Sequence, residues 1–375
     1  MGTARMTLFL VTAAATAALA LSGGAGADRP VPRGFPGPAL GRDPGWMARA
    51  KPLGGGAPPW ARRLYRRSLL VLRAATDPRS GAVVAGAPAG WAYVWPRDAG
   101  AVALALASAG YRPEARRIAR FLLRLDLDAA ARFYRDGEPV PGREAQGDAA
   151  GWVAVAARAA GLSAGALTVR WRERADYQEK EAGDYLANAI AAVDGPETRP
   201  GVALSSRRRG SEAIIGEFGT ARGLVRRAGD PDSGLDTAAA WAVEPFRRPR
   251  LFPVLRRTLL SLPGGGRFGL VPSEDWDGGE DPWTAPTAWT AWGLAALARR
   301  DRRTSRIVPA RRERAAARRL MTALRRAATP TGLLPERVDA ETGAPRSTTP
   351  LAWSHAFAVL ALRELWAGPA VDSVP

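Results

Sequence analysis

Residues 91–110 read WAYVWPRDAGAVALALASAG. The first part sets Trp91, Tyr93 and Trp95 beside Pro96, Arg97 and Asp98. The second part is Ala, Val and Leu with no charge as far as Gly110. An apolar run of that length suits a buried helix, and the polar, aromatic group stands at its start. Asp98 fits a helix N-cap, which is the purely structural reading. That reading gives no role to Arg97 or to the three aromatic rings. Aromatic faces beside an Arg/Asp pair suit a sugar, whose C–H faces are apolar and whose hydroxyls both donate and accept.

The same alternation recurs along the chain. PGREAQGDAAGW (141–152), VPSEDWDGGEDPWT (271–284) and LPERVD (334–339) each precede an Ala/Leu-rich stretch. Helical spacing predicts helices at roughly 60–75, 98–110, 112–126, 149–162, 170–193, 211–228, 234–245, 250–262, 284–300, 309–328 and 350–366. Period-two alternation is scarce, so the expected class is all-α. Helices in this number without a linker suggest a toroid of paired helices whose loops converge on one end, where sites usually form. Residues 1–27 read as a signal peptide: Arg5, an apolar run from Met6 to Leu21, then Ala25-Gly26-Ala27 with cleavage after Ala27. The run is short and Ala-rich for a membrane span. An exported protein with no stable membrane span is therefore expected. Residues 28–60 are rich in Pro and Gly and read as an irregular lead-in to a domain at 61–375.

Composition narrows the chemistry. The 375 residues carry a net charge of +18, contain no Cys, and have His355 as the only histidine. Thiol chemistry, zinc clusters and histidine triads are thereby disfavoured. Lys stands only at 51 and 180, and the Arg residues are scattered in pairs and triplets. This pattern argues against a dedicated nucleic-acid surface. Carboxylates, aromatics, Arg and hydroxyls remain. His355, in the apolar LAWSHAFAV, reads as a core or rim histidine. The acids of SEDWDGGEDPW do not follow the spacing of the twelve-residue calcium loop. They read as helix caps or solvated groups around a pocket-lining Trp276, and no metal or cofactor is expected.

Five segments in order resemble glycoside hydrolase family 15, the glucoamylases with their glucodextranase and trehalase relatives. They are TDPRSGAVVAGAPAGWAYVWPRDAGAVALALASAG (76–110), REAQGDAAGW (143–152), SGLDTAAAWAVEPF (233–246), GLVPSEDWDGGEDPWTAPTAWTAWGLAALA (269–298) and GLLPERVDAETGAPRSTTPLAWSHAFAVLAL (332–362). The resemblance implies an (α/α)6 barrel and hydrolysis of α-glucosidic bonds from the non-reducing end with inversion. An α-glucan or α-glucoside is the implied partner of a monomeric enzyme. Trp91, Tyr93, Trp95, Arg97 and Asp98 match the sugar-binding signature, and Asp148, Trp276 and Trp353 fall in its later segments. Glu336 matches the catalytic base, and Arg337 beside it is expected to hold it ionised. The family's Trp-Glu at the general acid has no counterpart between 150 and 235. Glu179 in ADYQEKEAGDY is the nearest candidate, although that stretch also reads as a charged helix face. Glu212, Glu217 and Glu274 are the rivals. A barrel that binds sugar without an acid is the alternative reading.

Overall fold

The computed structural model describes residues 29–30, 32–41, 43–165, 167, 170–192, 204–262 and 266–366. Within 204–209 it describes the backbone alone. The signal-like segment with Ala27 lies outside the described residues. From Pro32 onward the chain is one compact unit.

Helices α2 (Pro59–Ala75), α4 (Arg112–Leu122), α7 (Leu204–Phe218), α8 (Phe252–Ser261) and α10 (Ile307–Ala327) form an outer layer. Helices α3 (Pro96–Ser108), α5 (Ala149–Ala159), α6 (Leu186–Ala192), α9 (Thr284–Arg303) and α11 (Ala352–Trp366), with a 3-10 helix at Thr237–Ala242, form the inner one. The sequence explains the division. In α4 Ala115, Ile118, Phe121 and Leu122 face inward, while its arginines face out. α5 and α11 are apolar around most of their circumference and buried along nearly all their length. Each inner element packs on the next, and α11 returns to α3, which closes the ring. This is the (α/α)6 barrel the sequence predicts. Close approach within the ring requires glycine. A Cβ on Gly100 would stand 2.7 Å from the carbonyl oxygen of Trp152, and one on Gly151 would stand 2.4 Å from that of Ala191.

Four inner elements each send an aromatic side chain into the centre. Trp241 of the 3-10 helix lies 5.2 Å from both Trp152 of α5 and Trp289 of α9, and Phe357 of α11 is 5.3 Å from Trp289. The edge-to-face geometry is the one aromatic quadrupoles favour. The centre of the barrel is therefore packed, and it forms a floor.

Loops leading from outer to inner elements are long, whereas the returns from α3 to α4 and from α9 to α10 take three residues each. The long loops are joined in a cycle by backbone pairs: Val94 with Phe133, Gln146 with Ala175, Tyr185 with Arg227, Asp236 with Ser273, and Trp283 with Arg337. The amide of Ala352 closes the cycle on Ala85 O at 2.8 Å.

Four local expectations change. Helix 170–193 shrinks to α6, because Asp176 Oδ1 accepts the Gln178 amide and Asn188 Nδ2 takes the carbonyls of Arg174 and Ala175. Helix 211–228 starts earlier and ends at Phe218. A hairpin of β1 (Val225–Arg227) and β2 (Asp230–Leu235) follows, turning at Gly229, which has φ of 69°. Helix 234–245 is the short 3-10 element, capped where Asp236 Oδ1 accepts the Ala238 amide at 2.7 Å. The lead-in contains α1 (Pro44–Ala48), whose Trp46 stacks on Tyr111 at 4.0 Å.

Candidate active site

Because the long loops all enter inner elements at their N-termini, the polar residues the sequence singled out are gathered at one end of the barrel. Asp98 lies in the first turn of α3 and Asp148 at the N-cap position of α5, yet neither side chain caps its helix. The capping role considered for Asp98 is absent; the N-cap position belongs to Trp95. Both carboxylates face Arg97 instead. Its Nε is 3.4 Å from Asp98 Oδ1, and its Nη1 is 3.4 Å from Asp148 Oδ2 and 2.7 Å from Gln146 Oε1. The guanidinium also lies 4.7 Å from the centre of the Trp353 ring, which stands 5.4 Å from Trp289 of the floor.

All of this is buried, and it is not satisfied. Asp98 Oδ1, Asp148 Oδ1, and the indole nitrogens of Trp276, Trp283 and Trp353 have no hydrogen-bond partner. Such atoms are costly unless something else supplies the bond. Burial pushes the Asp98 carboxyl up to about 7, against the pull of Arg97 and helped by Asp148 and Glu336. Asp148 moves up for the same first reason.

Trp91 and Trp95 lie 6.1 Å apart in a tilted pair, and Tyr93 meets Trp95 edge-on at 6.4 Å. Trp95 Nε1 donates to Glu179 Oε1 at 2.6 Å. Glu179 is held in the left-handed region, with φ of 55°. A non-glycine residue keeps that conformation only where its surroundings enforce it. Here the Glu179 amide bonds Asp176 O at 3.0 Å, closing a turn over 176–179. Asp176 is gripped by Arg226 at 3.1 Å, Tyr177 OH donates to Asp236 Oδ1 at 2.8 Å, and Gln178 Nε2 donates to Ser273 Oγ at 3.0 Å. The stretch is a pinned turn, and the charged-helix reading does not hold.

Glu336 sits in the loop before α11. Its amide bonds Thr348 O at 3.0 Å, and its carbonyl accepts from Thr284 at 2.9 Å. The segment is further fixed where Leu334 N–H donates to His355 Nε2 at 2.9 Å; His355 Nδ1 is 2.8 Å from Ser68 Oγ. Burial raises the Glu336 carboxyl. The Ser347 hydroxyl, which donates to Oε2, opposes this, as do the charges of Arg337 and Arg143. Arg337 thus pulls in the expected direction but is outweighed by burial, and Ser347 contributes more than it does.

Arg143 joins the two halves. It forms an ion pair with Glu179, and its charge acts on Glu336 as well. The rival acids lie elsewhere. Glu217 pairs with Arg172, Glu274 pairs with Arg222 and accepts the Leu235 amide, and Glu212 is exposed on α7. Three further acids of the 273–281 loop are engaged too: Asp275 with Arg226, Asp277 with Lys180, and Asp281 with the Ala340 amide; Glu280 is exposed. Trp276 stands 5.1 Å from Trp283 and 4.6 Å from the Lys180 ammonium. Sequence reasoning missed Arg143, Arg132 and Ser347. Arg143 lies three residues before Gln146 of a quoted motif, but nothing in its type or spacing marks it.

Comparison with known proteins agrees with the fold. A family model described as Glycosyl hydrolases family 15 matches residues 60–134. No curated protein matches by sequence. Among solved structures, a glycosidase variant in complex with glucose superimposes with a TM-score of 0.66 at 20% identity, covering 88% of this chain and 100% of the other. The glucoamylase from Saccharomycopsis fibuligera gives 0.64 at 15% identity, over 81% and 94%. A bacterial glucoamylase complexed with acarbose gives 0.59 at 19% identity, over 80% and 55%. The chain is thus similar to glycoside hydrolase family 15 in its N-terminal motif and shares the barrel of glucoamylases.

Proposed function

We propose that the protein is an exported glycoside hydrolase that releases glucose from the non-reducing end of α-glucans or α-glucosides, with inversion. One observation carries this reading: Glu179 and Glu336, from different loops, converge on Arg143 beside a buried Arg97–Asp98–Asp148 cluster with unsatisfied polar atoms. The apolar run before Ala25-Gly26-Ala27 supports export.

In this reading the terminal sugar lies against Trp353 and the Trp91–Trp95 pair, and its hydroxyls bond Asp98, Asp148 and the free indole N–H groups. Protonated Glu179 gives its proton to the glycosidic oxygen as the bond to C1 breaks. Ionised Glu336 takes a proton from the water whose oxygen bonds C1 from the opposite face. One water is consumed, and the two carboxyls then exchange protons with solvent to reset. Inverting pairs stand roughly 6.5–9.5 Å apart to admit that water.

The test is to incubate the protein with maltooligosaccharides and trehalose and to follow glucose and its anomer by NMR. β-Glucose should appear first and should vanish in Glu336→Gln. α-Glucose as first product would exclude inversion. Binding of these sugars without release would assign the protein to the non-catalytic alternative.

A further inference from the structure

A general acid must be protonated before it acts, yet the carboxylate best placed for that role is paired with a guanidinium. An adjacent cation favours the ionised form of a carboxyl group. Arg143 sits against the proposed acid itself, on the side from which the leaving group departs, and its charge also acts on Glu336. Its side chain is 44% exposed, and among the described residues its ion-pair partner is Glu179 alone.

A second guanidinium stands beside it. Arg132 lies 4.6 Å from the Tyr93 ring centre and 5.6 Å from that of Trp95, and its charge repels Arg143. Its Nη1 reaches only the Gly90 carbonyl, at 3.4 Å, and its buried Nε has no hydrogen-bond partner. No carboxylate lies within ion-pairing distance of Arg132 among the described residues. Lys180 and Arg226 differ in this respect, because Lys180 has Asp277 and Arg226 has both Asp176 and Asp275. On the Trp95 side of the site, Arg143 therefore has the proposed acid as its ion-pair partner, and Arg132 beside it has none among the described residues. Asp98 and Asp148 are engaged with Arg97, and Glu336 acts on Arg143 by its charge without pairing with it.

We infer that the preferred substrate is an α-glucoside whose leaving group carries a carboxylate, which Arg143 and Arg132 bind in place of Glu179. The inference rests on the hydrolase reading above. A guanidinium fork matches a carboxylate in two parallel hydrogen bonds and gains from charge complementarity. Once Arg143 turns to the substrate, Glu179 keeps its bond to Trp95 Nε1 and takes up a proton from solvent. Substrate binding itself thus arms the acid. A neutral α-glucoside has no group with which to draw Arg143 away.

The test compares 4-carboxyphenyl α-glucoside with its methyl ester, two compounds of nearly equal shape that differ by one charge. The carboxylate should be favoured in kcat/KM by about tenfold or more, and added salt should shrink the ratio. Arg143→Ala should bring the ratio close to one, and Arg143→Lys should keep part of it. A wild-type ratio of one or below, or a ratio that Arg143→Ala leaves unchanged, overturns the inference. If maltooligosaccharides are hydrolysed and neither aryl glucoside is, the inference is overturned; if none of them is hydrolysed, the hydrolase reading fails, and calorimetric binding of both aryl glucosides then decides the anion site separately. Tighter binding of the carboxylate, lost in Arg143→Ala, upholds it; equal binding or none overturns it.

Discussion

The indole Nε1 of Trp95 donates a 2.6 Å hydrogen bond to Oε1 of Glu179, across 84 positions of sequence. The bond fixes one oxygen of the proposed acid and leaves the other to Arg143. Trp95→Phe keeps an aromatic ring and removes the donor. A hydrogen bond to a charged group contributes about 1.5–3 kcal/mol. Turnover of an α-glucoside should accordingly fall roughly 10- to 100-fold, with KM changing much less. Steady-state kinetics in which KM rises while kcat stays unchanged would show that the bond serves binding alone.

The turn carrying Glu179 depends on the buried Asp176–Arg226 pair, of which both side chains are almost fully enclosed. Arg226→Met leaves an unpaired carboxylate in the interior, at a cost of about 3–5 kcal/mol. Urea denaturation should register that loss. Adding Asp176→Asn should return part of it while activity stays low, since the turn has lost its anchor. Full activity in either variant would dissociate the turn from the chemistry.

Asp98 gives a pH signature. Its carboxyl stands near 7 in the folded protein, against 3.8 as the ordinary value. Between those limits the native state holds a proton that the unfolded chain releases, so this group's contribution is present at low pH and lost as pH rises. Asp98→Asn removes the dependence. Relative to wild type, the variant should gain melting temperature steadily from pH 4 to pH 8. A difference that stays flat across that range would mean Asp98 ionises normally.

His355 runs the other way. Burial lowers it to about 3, against an ordinary 6.5, so the native state refuses a proton that the unfolded chain accepts. Stability from this group is present above 6.5 and is lost as pH falls toward 3. His355→Gln leaves the Leu334 amide and Ser68 short of a partner, at a cost of about 1–3 kcal/mol at neutral pH. The gap to wild type in thermal melts should be widest at pH 8 and should narrow toward pH 4.

Much of the fold was legible because inner and outer helices carry different signatures, and residues 96–108 and 112–122 display both in succession. The segments misjudged were those where side chains, not spacing, decide the backbone. Residues 170–185 have helical composition, but Asp176, Asn188 and Arg226 divert their amides and carbonyls into a turn. For the site, aromatic and acidic residues clustered before apolar runs pointed to Trp91–Asp98, Asp148 and Glu336, and all of them face one end of the barrel. Arg143 stayed invisible because an arginine in an Arg-rich chain attracts no notice. Its meaning comes from what it touches across the cleft.

The closed cycle of backbone pairs among the six entry loops works like a hoop around staves. Each loop is tied to one neighbour where it meets the inner wall and to the other farther back along its length, so none can widen the opening by itself. Added sequence can only hang outside the hoop, where it lengthens or roofs the cleft without altering its bore. Under the proposed function, diversification in such a barrel is therefore steered toward what the rim presents to the departing half of the substrate. The seat proposed for the retained sugar is then held constant.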